Sequence, residues 1–179
     1  MTLGLQRGIV RLSDHDAAWS DIFNAEKAEL REVFGNKILG VEHVGSTAIP
    51  GVKAKPILDL MVAIQSLDNW KECEENLQKL GYQFRADNRE LQDHILFVKG
   101  PEEKRTHYLK LAELNSDFWS EHILFRDFLI THPKYRQEYE DLKILLLQKY
   151  QDNRKPYTDG KKDFIKKVLK LAGYTGKIL

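Results

Sequence analysis

The sequence predicts an α+β fold in which helices flank a mixed β-sheet and a helical layer follows at the C-terminal end. Apolar runs of strand length alternate with amphipathic helical segments as far as Leu111, whereas only helical patterns follow Asp117. No linker rich in glycine, proline or serine separates the two parts. We therefore expect residues 1–179 to form a single domain.

Composition and charge argue against several classes of protein. The 28 basic and 27 acidic residues leave a net charge of +1, which lacks the basic excess typical of nucleic-acid and membrane-surface binding. No run approaches the ~20 apolar residues of a membrane span, and the N-terminus lacks the apolar core of a signal peptide. The single cysteine, Cys73, has no partner for a disulfide or a metal motif. We expect a cytoplasmic protein without membrane partners.

The N-terminal elements are an extended segment and a helix. Residues 8–13 are predicted to form either a short strand or an extended lead-in, and Ser13 or Asp14 is suited to cap the helix that follows. Apolar side chains recur at three- and four-residue steps through residues 19–34. Gly35 is placed to end this helix, as glycine commonly does.

Strands dominate the middle of the chain. Lys37–Val44 is predicted to be a strand, and Ile57–Ile64 is so continuously apolar that it is expected at the centre of the sheet, covered on both faces. A helix is predicted over Ser66–Gly81. Three further strands are expected over Tyr82–Arg85, His94–Val98 and Thr106–Leu111, with a polar connection over Asp87–Asp93 and a turn over Gly100–Lys104.

Three helices are predicted in the C-terminal part. They cover Asp117–Ile130, the residues from Tyr135 to Tyr150, and the residues from Phe164 to Ala172. A polar loop over Gln151–Gly160 joins the last two, and its flanking residues Tyr157 and Lys161 are expected at the surface.

A small-residue turn, Gly45-Ser46-Thr47, follows the first predicted strand of the sheet. Glycine lets the backbone approach a ligand closely, and successive N–H groups in such a turn can bind phosphate oxygens. The serine hydroxyl can add another donor. Two interpretations remain open, because Gly-Ser turns are also common as plain structural turns.

One acid, Asp59, lies inside the apolar run of residues 57–64. A carboxylate in such a strand costs free energy unless it is paired, hydrogen-bonded or bound to a metal. It therefore indicates either a functional site or a structural pairing with a cation or backbone group. Glu42 and His43 are adjacent on a strand and so point to opposite faces, and Glu42 could supply a second carboxylate for a divalent metal.

Several cations could meet a phosphate at this site. Lys53 and Lys55 lie in the loop before Asp59, and either could bind a phosphate or remain a solvated loop lysine. Arg126 and Lys143 lie beside apolar helix faces, where a cation pairs with an acid or binds an anion. His107 shares a strand face with Leu109 and Leu111, and it is either a core histidine or a site residue. Lys55, Arg126 and Lys143 are the cations expected to bind the phosphate, whereas Lys53 is expected to be a solvated loop lysine.

With these residues in place, the chain resembles the GrpB family, whose fold is that of the nucleotidyltransferase superfamily. The resemblance extends from about Val10 to Ala172 and is most specific over residues 42–51 and 55–59. The later Arg105-Thr106-His107 stretch and the stretch from Phe125 to Pro133 support it. It implies a nucleotidyltransferase-like mixed sheet with helices packed against it.

The superfamily resemblance also implies a chemistry. Its pattern is a Gly-Ser turn, then two acids one residue apart on a strand that hold Mg²⁺, then a third acid on a later strand. Asp59 carries over from this pattern, whereas Met61 stands at the second acidic position and His107 at the later strand. The resemblance implies a catalytic role for Asp59, and the residue pattern adds Glu42 as a second carboxylate. We therefore expect catalytic roles for Asp59, Glu42 and His107, with Mg²⁺ bound by Asp59 and Glu42. Phosphate or nucleotide binding is assigned to Gly45, Ser46, Thr47, Lys55, Arg126 and Lys143.

Three functions follow as hypotheses. The first is binding of a nucleotide or phosphorylated small molecule, with Mg²⁺-assisted nucleotidyl or phosphoryl transfer. The second is a catalytically inactive ligand-binding or adaptor protein, which the thioether of Met61 favours because sulfur is a poor ligand for Mg²⁺. The third, an RNA-directed enzyme, is disfavoured by the neutral charge balance.

Overall fold

A computed structural model describes residues 3–85, 93–150 and 153–176, and it confirms the predicted α+β architecture. Its strands are β1 (Gly40–Val44), β2 (Leu58–Ile64), β3 (Tyr82–Phe84), β4 (Ile95–Lys99) and β5 (His107–Glu113). They form a five-stranded sheet in the order β1-β2-β5-β4-β3. Only β2 and β5 run parallel, while the other neighbours are antiparallel. The predicted connection over Asp87–Asp93 lies outside the described residues except for Asp93.

Helices cover both faces of this sheet. They are α1 (Ala18–Phe34), α2 (Lys71–Lys79), α3 (Asp117–Thr131), α4 (Pro133–Tyr150), α5 (Arg154–Asp159) and α6 (Lys162–Leu171). The first two pack on one face, α3 packs on the other, and α4 and α6 pack against α3. None of the helices in the described ranges is long and apolar enough to cross a membrane.

Strand β2 is an interior strand with both faces covered, as its apolar run predicts. Leu60 points into a core with Trp19 of α1, whereas Met61 points into a second core with Phe118 of α3. Asp59 is two residues from Met61 and therefore lies on the α3 side of the sheet. The fold thus presents the strand acid towards the C-terminal helices.

The start of the first helix differs from the prediction. It begins at Ala18, so neither Ser13 nor Asp14 caps it, and Asp16 Oδ1 instead accepts a 3.0 Å hydrogen bond from the Ala18 N–H. Asp14 forms an ion pair with Lys53, and Ser13 forms an isolated β-bridge to the loop before β2. Both predicted caps are thus engaged in holding the extended lead-in against that loop.

The prediction of a polar loop over Gln151–Gly160 is wrong for the residues of this segment that the structure describes, because they contain helix α5. Pro156 lies in the first turn of this helix, where its missing N–H costs no helical hydrogen bond. Tyr157, predicted at the surface, is only 1% exposed and packs with Val10 and Leu146. Burial of this aromatic ring supplies a tertiary stabilisation of the helix that the local polar composition does not reveal.

We predict that Leu60→Ala lowers the free energy of unfolding by about 2–5 kcal/mol, because a fully buried side chain on the interior strand is lost and a cavity remains. The matched control is Leu145→Ala, since Leu145 is 60% exposed. Urea unfolding of the three proteins measures both effects. Equal losses from the two substitutions would contradict the placement of Leu60 in the core.

Candidate functional site

The turn after β1 lies directly against the strand acid. Val44, the last residue of β1, pairs with Asp59, and Gly45 follows with a φ of 70°. A Cβ at Gly45 would lie 2.8 Å from Asp59 Oδ2 and 3.1 Å from Asp59 Cβ. A larger residue would therefore collide with the carboxylate, so glycine is needed at this position for both space and backbone conformation.

The rest of the turn is anchored by side-chain hydrogen bonds. Residues 46–48 form a short 3-10 turn, in which Ser46 Oγ lies 3.3 Å from the hydroxyl of Tyr139 on α4. Thr47 is buried, and its hydroxyl lies 2.9 Å from His43 Nε2. The Ser46 hydroxyl therefore lies next to Gly45, on the side of the turn that faces α4.

Asp59 forms an ion pair with a lysine of the neighbouring strand. Lys110 Nζ lies 3.6 Å from Asp59 Oδ1, and the two side chains are 19% and 29% exposed. Lys110 Nζ also lies 3.4 Å from His122 Nε2, while His122 Nδ1 donates a 2.8 Å hydrogen bond to the Phe118 carbonyl. Because Nδ1 carries the proton, Nε2 of a neutral His122 is free to accept from the lysine. Burial lowers the pKa of His122 to about 3 and favours this neutral form.

Further cations surround the same carboxylate. Burial, together with the positive charges of Lys161, Arg154 and Lys110, lowers the pKa of Lys55 to about 7, and the charge of Asp59 opposes this shift. Burial likewise lowers the pKa of Lys161 to about 8, with Arg154 adding to the effect and Asp59 again opposing it. We call Asp59, Lys55, Lys110, Arg154 and Lys161 the Asp59 cluster.

Arg154 is fixed in this cluster by a tyrosine. Its Nη1 donates a 3.2 Å hydrogen bond to Tyr108 Oη, and its guanidinium carbon lies 5.2 Å from the centre of the Tyr108 ring. Tyr108 is the residue of β5 that pairs with Asp59. The guanidinium is therefore held on the same row of the sheet as the carboxylate.

The cluster carries an excess of positive charge. Among the described residues, Asp59 is the one carboxylate whose charge acts on both Lys55 and Lys161, against four cationic side chains in the cluster. Mutual repulsion and desolvation make this arrangement costly unless an anion compensates it. The geometry is therefore suited to bind an anionic ligand.

Glu42 and Arg126, two of the predicted site residues, bind each other. Arg126 Nη1 donates to Glu42 Oε2 at 2.7 Å and to the His43 carbonyl at 2.8 Å, while its Nε donates to Asp127 Oδ1 at 2.7 Å. These bonds join α3 to β1 just before the glycine turn. The Glu42 carboxylate and the Arg126 guanidinium are both engaged in these bonds, so the pair holds β1 in place against α3.

Lys143, another predicted phosphate-binding residue, is buried beneath the loop before β2. It is 1% exposed, its ammonium donates a hydrogen bond to the Lys53 carbonyl, and it lies 4.7 Å from the centre of the Tyr139 ring. Burial lowers its pKa to about 7, and the charge of Lys161 adds to this. The side chain thus anchors the loop before β2 from its buried side.

His107 lies on the opposite face of the sheet from Asp59, with Leu109 as predicted. Its Nδ1 lies 2.8 Å from Thr106 Oγ1, and its Nε2 lies 4.0 Å from a carboxylate oxygen of Glu26 on α1. Burial lowers the pKa of His107 to about 4. Its surroundings are those of a core histidine, and the sheet separates it from the Asp59 cluster.

The groups beside Asp59 are unsuited to a divalent metal ion. Met61, which stands where the superfamily pattern has an acid, is fully buried against Phe118 and Trp119. Within residues 3–85, 93–150 and 153–176, no group of three or more His, Cys, Asp or Glu side chains could hold a metal. Since Glu42 is bound to Arg126 and the neighbours of Asp59 are cations, the described residues do not fit Mg²⁺.

Sequence reasoning missed four residues of this site: Lys110, His122, Arg154 and Lys161. The alternation of the predicted strand over Thr106–Leu111 places Lys110 on one face with Tyr108. Its approach to Asp59 depends on the pairing of β5 with β2, which the sequence did not predict. Arg154 and Lys161 lie in or next to the polar segment around Pro156, where surface cations are the ordinary expectation. Their approach to Asp59 results from the packing of α5 and gave no local signal.

Comparison with known proteins gives consistent matches along the chain. A family model described as GrpB protein matches residues 9–171. The glutamate-rich protein GrpB of Alkalihalophilus pseudofirmus is 36% identical over 171 residues, which cover 93% of this chain and 98% of that protein. The crystal structure of conserved protein GrpB from Enterococcus faecalis matches with a TM-score of 0.81 and 29% identity, covering 90% of this chain and 96% of that one.

Some of the similar proteins carry the name of an enzyme. A dephospho-CoA kinase of Mycobacterium tuberculosis is 36% identical over 81 residues. These residues make up 44% of this chain and 20% of the kinase. The similarity therefore involves a minor part of that protein.

We predict that Gly45→Ala lowers the free energy of unfolding by about 2–4 kcal/mol, because the alanine combines an unfavourable positive φ with a clash against Asp59. The control is Gly51→Ala, which shares the positive φ but has no atom within 4 Å of the added Cβ, and should lose only about 1–2 kcal/mol. Chemical denaturation measures both. If the Gly45 variant lost no more than the Gly51 variant, the close contact with Asp59 would be ruled out.

Proposed function

The chain belongs to the GrpB family, and from the charges that its fold gathers around Asp59 we propose that it binds a phosphorylated small molecule, nucleotides included. The observation that carries the proposal is the gathering of four basic side chains, Lys55, Lys110, Arg154 and Lys161, around the one carboxylate of the Asp59 cluster. A phosphate group supplies the missing negative charge and has several oxygens to accept hydrogen bonds from different donors. The ligand's phosphate would lie between the Gly45-Ser46 turn and Arg154.

Each part of the cluster has a distinct task in this proposal. Arg154 presents a planar fork of donors to phosphate oxygens. Lys161 adds charge, and Ser46 adds a hydroxyl donor from the turn. Asp59 accepts a hydrogen bond from a hydroxyl group of the ligand, and Lys110, 3.6 Å away, balances its charge. The site thereby prefers a phosphate ester with a hydroxyl over a bare anion.

The similarity to a dephospho-CoA kinase supports the choice of ligand class. That kinase is named for a nucleotide-containing compound, and the shared region covers 44% of this chain. Adenine nucleotides therefore belong in any ligand panel, beside simple sugar phosphates. The nucleotidyltransferase-like assignment of the fold is a further reason to include nucleotides, and it stays a prediction from the sequence.

Our proposal is closest to the ligand-binding alternative that Met61 favours. Mg²⁺-assisted nucleotidyl or phosphoryl transfer needs oxygen ligands that the described residues around Asp59 do not supply. Nucleotidyl or phosphoryl transfer therefore remains a prediction from the sequence. Addition of Mg²⁺ to the assays below tests it. Product formation from a labelled nucleotide that depends on Mg²⁺ would favour the transferase over the binding protein.

We predict that Arg154→Met weakens binding of the best phosphorylated ligand about 10- to 100-fold, because a charge-assisted contact is lost. Inorganic phosphate, ribose 5-phosphate, AMP and ATP are compared by thermal shift and calorimetry, with and without Mg²⁺. Arg136→Met, on α4 and outside the Asp59 cluster, is the matched control and should bind like the wild type. The proposal fails if no compound of the panel binds the wild-type protein, or if both variants lose affinity equally.

We predict the opposite effect for Asp59→Asn. Removal of the one negative charge in the cluster should tighten binding of inorganic phosphate about 3- to 10-fold, because the carboxylate repels the anion. A metal-bound phosphate would instead bind more weakly to this variant in the presence of Mg²⁺, since a metal ligand is lost. Asp21→Asn, on the exposed side of α1, is the control for a distant charge. Calorimetry at low salt shows directly whether the substitution raises or lowers the affinity for phosphate.

A further inference from the structure

Residues 4–14 form an N-terminal segment that is attached to the rest of the fold at three places. The segment contains two isolated β-bridges, at Leu5 and Ser13, and neither a strand nor a helix. Val10, at 3% exposed, is the one hydrophobic side chain of residues 4–14 that is buried. A segment with so few buried contacts opens locally more easily than the core of a domain. We call residues 4–14 the N-terminal strap.

The first place of attachment is the loop before β2, which carries Lys55. The Gly4 N–H donates a 2.8 Å hydrogen bond to the Pro56 carbonyl. Ser13 and Ala54 exchange two backbone hydrogen bonds, of 2.8 and 2.9 Å. The residues on both sides of Lys55 are therefore bound to the strap.

The second place of attachment is the start of β5. Leu5 exchanges two backbone hydrogen bonds with Arg105, of 3.0 and 2.9 Å, and its side chain packs against the apolar cluster that contains Tyr108. Tyr108 accepts the 3.2 Å hydrogen bond that fixes Arg154 in the Asp59 cluster. The strap therefore supports Arg154 through this tyrosine.

The third place of attachment is helix α5. Val10 lies in a buried apolar cluster with Tyr157 of this helix and Leu146 of α4. Arg154 is the first residue of the same helix, and Lys161 Nζ lies 5.0 Å from the centre of the Tyr157 ring. The position of two cations of the Asp59 cluster therefore depends on the packing of Val10.

We propose that the N-terminal strap is a positioning element, whose attachment assembles the phosphate site and whose local detachment loosens it. This proposal rests on the proposed function and adds a means of regulating the same site. The three attachments coincide with the three parts of the fold that supply the cations: the loop before β2, β5 and α5. Because one segment is bound to all three parts, its detachment releases them together.

Coupling of this kind acts in both directions. If phosphate binds more tightly when the strap is attached, bound phosphate must hold the strap in place by the same factor. The amides of Leu5 and Ser13 report on attachment, because each donates a backbone hydrogen bond across the contact. A segment with a purely structural role would not respond to the ligand in this way.

Hydrogen exchange of the full wild-type chain measures this response. We expect saturating inorganic phosphate to slow exchange of the Leu5 and Ser13 amides about 5- to 20-fold, an ordinary size for coupling between two sites. The control is the Gly81 amide, which donates to the Gln78 carbonyl at the exposed end of α2 and should keep its rate. Equal slowing at Gly81 would indicate a general stabilisation and would overturn the coupling.

Substitution of Val10 tests the same coupling from the side of the strap. Val10→Ala should weaken phosphate binding about 5-fold in calorimetry, because the contact that holds α5 is lost. Val10→Ile keeps a branched side chain in the same cluster and should restore the affinity. Val33→Ala removes the same methyl groups from α1, where they pack against the core on the other face of the sheet, and should bind like the wild type.

The outcomes separate this proposal from the binding proposal. If phosphate binds the wild type but binds Val10→Ala equally well, or leaves exchange at Leu5 and Ser13 unchanged, the strap proposal is overturned and phosphate binding stands. If no compound of the panel binds the wild-type protein, the proposed function fails and the coupling fails with it. The exchange experiment uses the wild-type chain, so it decides the proposal even if Val10→Ala does not fold.

Discussion

The contact between the Asp59 carboxylate and Gly45 is the constraint on which the rest of the site depends. It places a negative charge beside a backbone turn at the end of β1, within an otherwise apolar stretch of β2. A carboxylate there must be compensated, and the compensation comes from three directions: β5, the loop before β2, and the C-terminal segment around α5. The cations gathered in this way outnumber the acid that attracts them, and this imbalance leads to the proposed function.

Other acids that face the sheet are neutralised in pairs. Glu42 binds Arg126 on the α3 side, and Glu26 accepts two 2.9 Å hydrogen bonds from Lys99 on the α1 side. A paired charge costs far less free energy than an unpaired one at a partly buried position. The contrast identifies the Asp59 cluster as a part of the described structure where cations outnumber acids, which structural pairing alone would not require.

The sequence predicts the backbone elements of this site better than the side-chain contacts within it. Apolar runs and glycine positions predict β1, the turn and β2, and the isolated acid in an apolar run directs attention to Asp59. The partners of these side chains are less predictable, because they depend on tertiary packing. Arg126 pairs with Glu42, and Lys161 lies 5.0 Å from the ring centre of the buried Tyr157 and is influenced by the charge of Asp59. The family resemblance had a similar limit, since a motif position such as His107 can be retained while the chain places its side chain on the other face.

The most direct test of the central claim is an NMR titration of the ¹⁵N-labelled protein with inorganic phosphate at low salt. We expect saturable shifts of the amides of Gly45, Ser46, Asp59 and Tyr108, with little change near Glu26 and His107 across the sheet. Absence of saturable shifts, or shifts confined to residues remote from Asp59, would contradict the central claim.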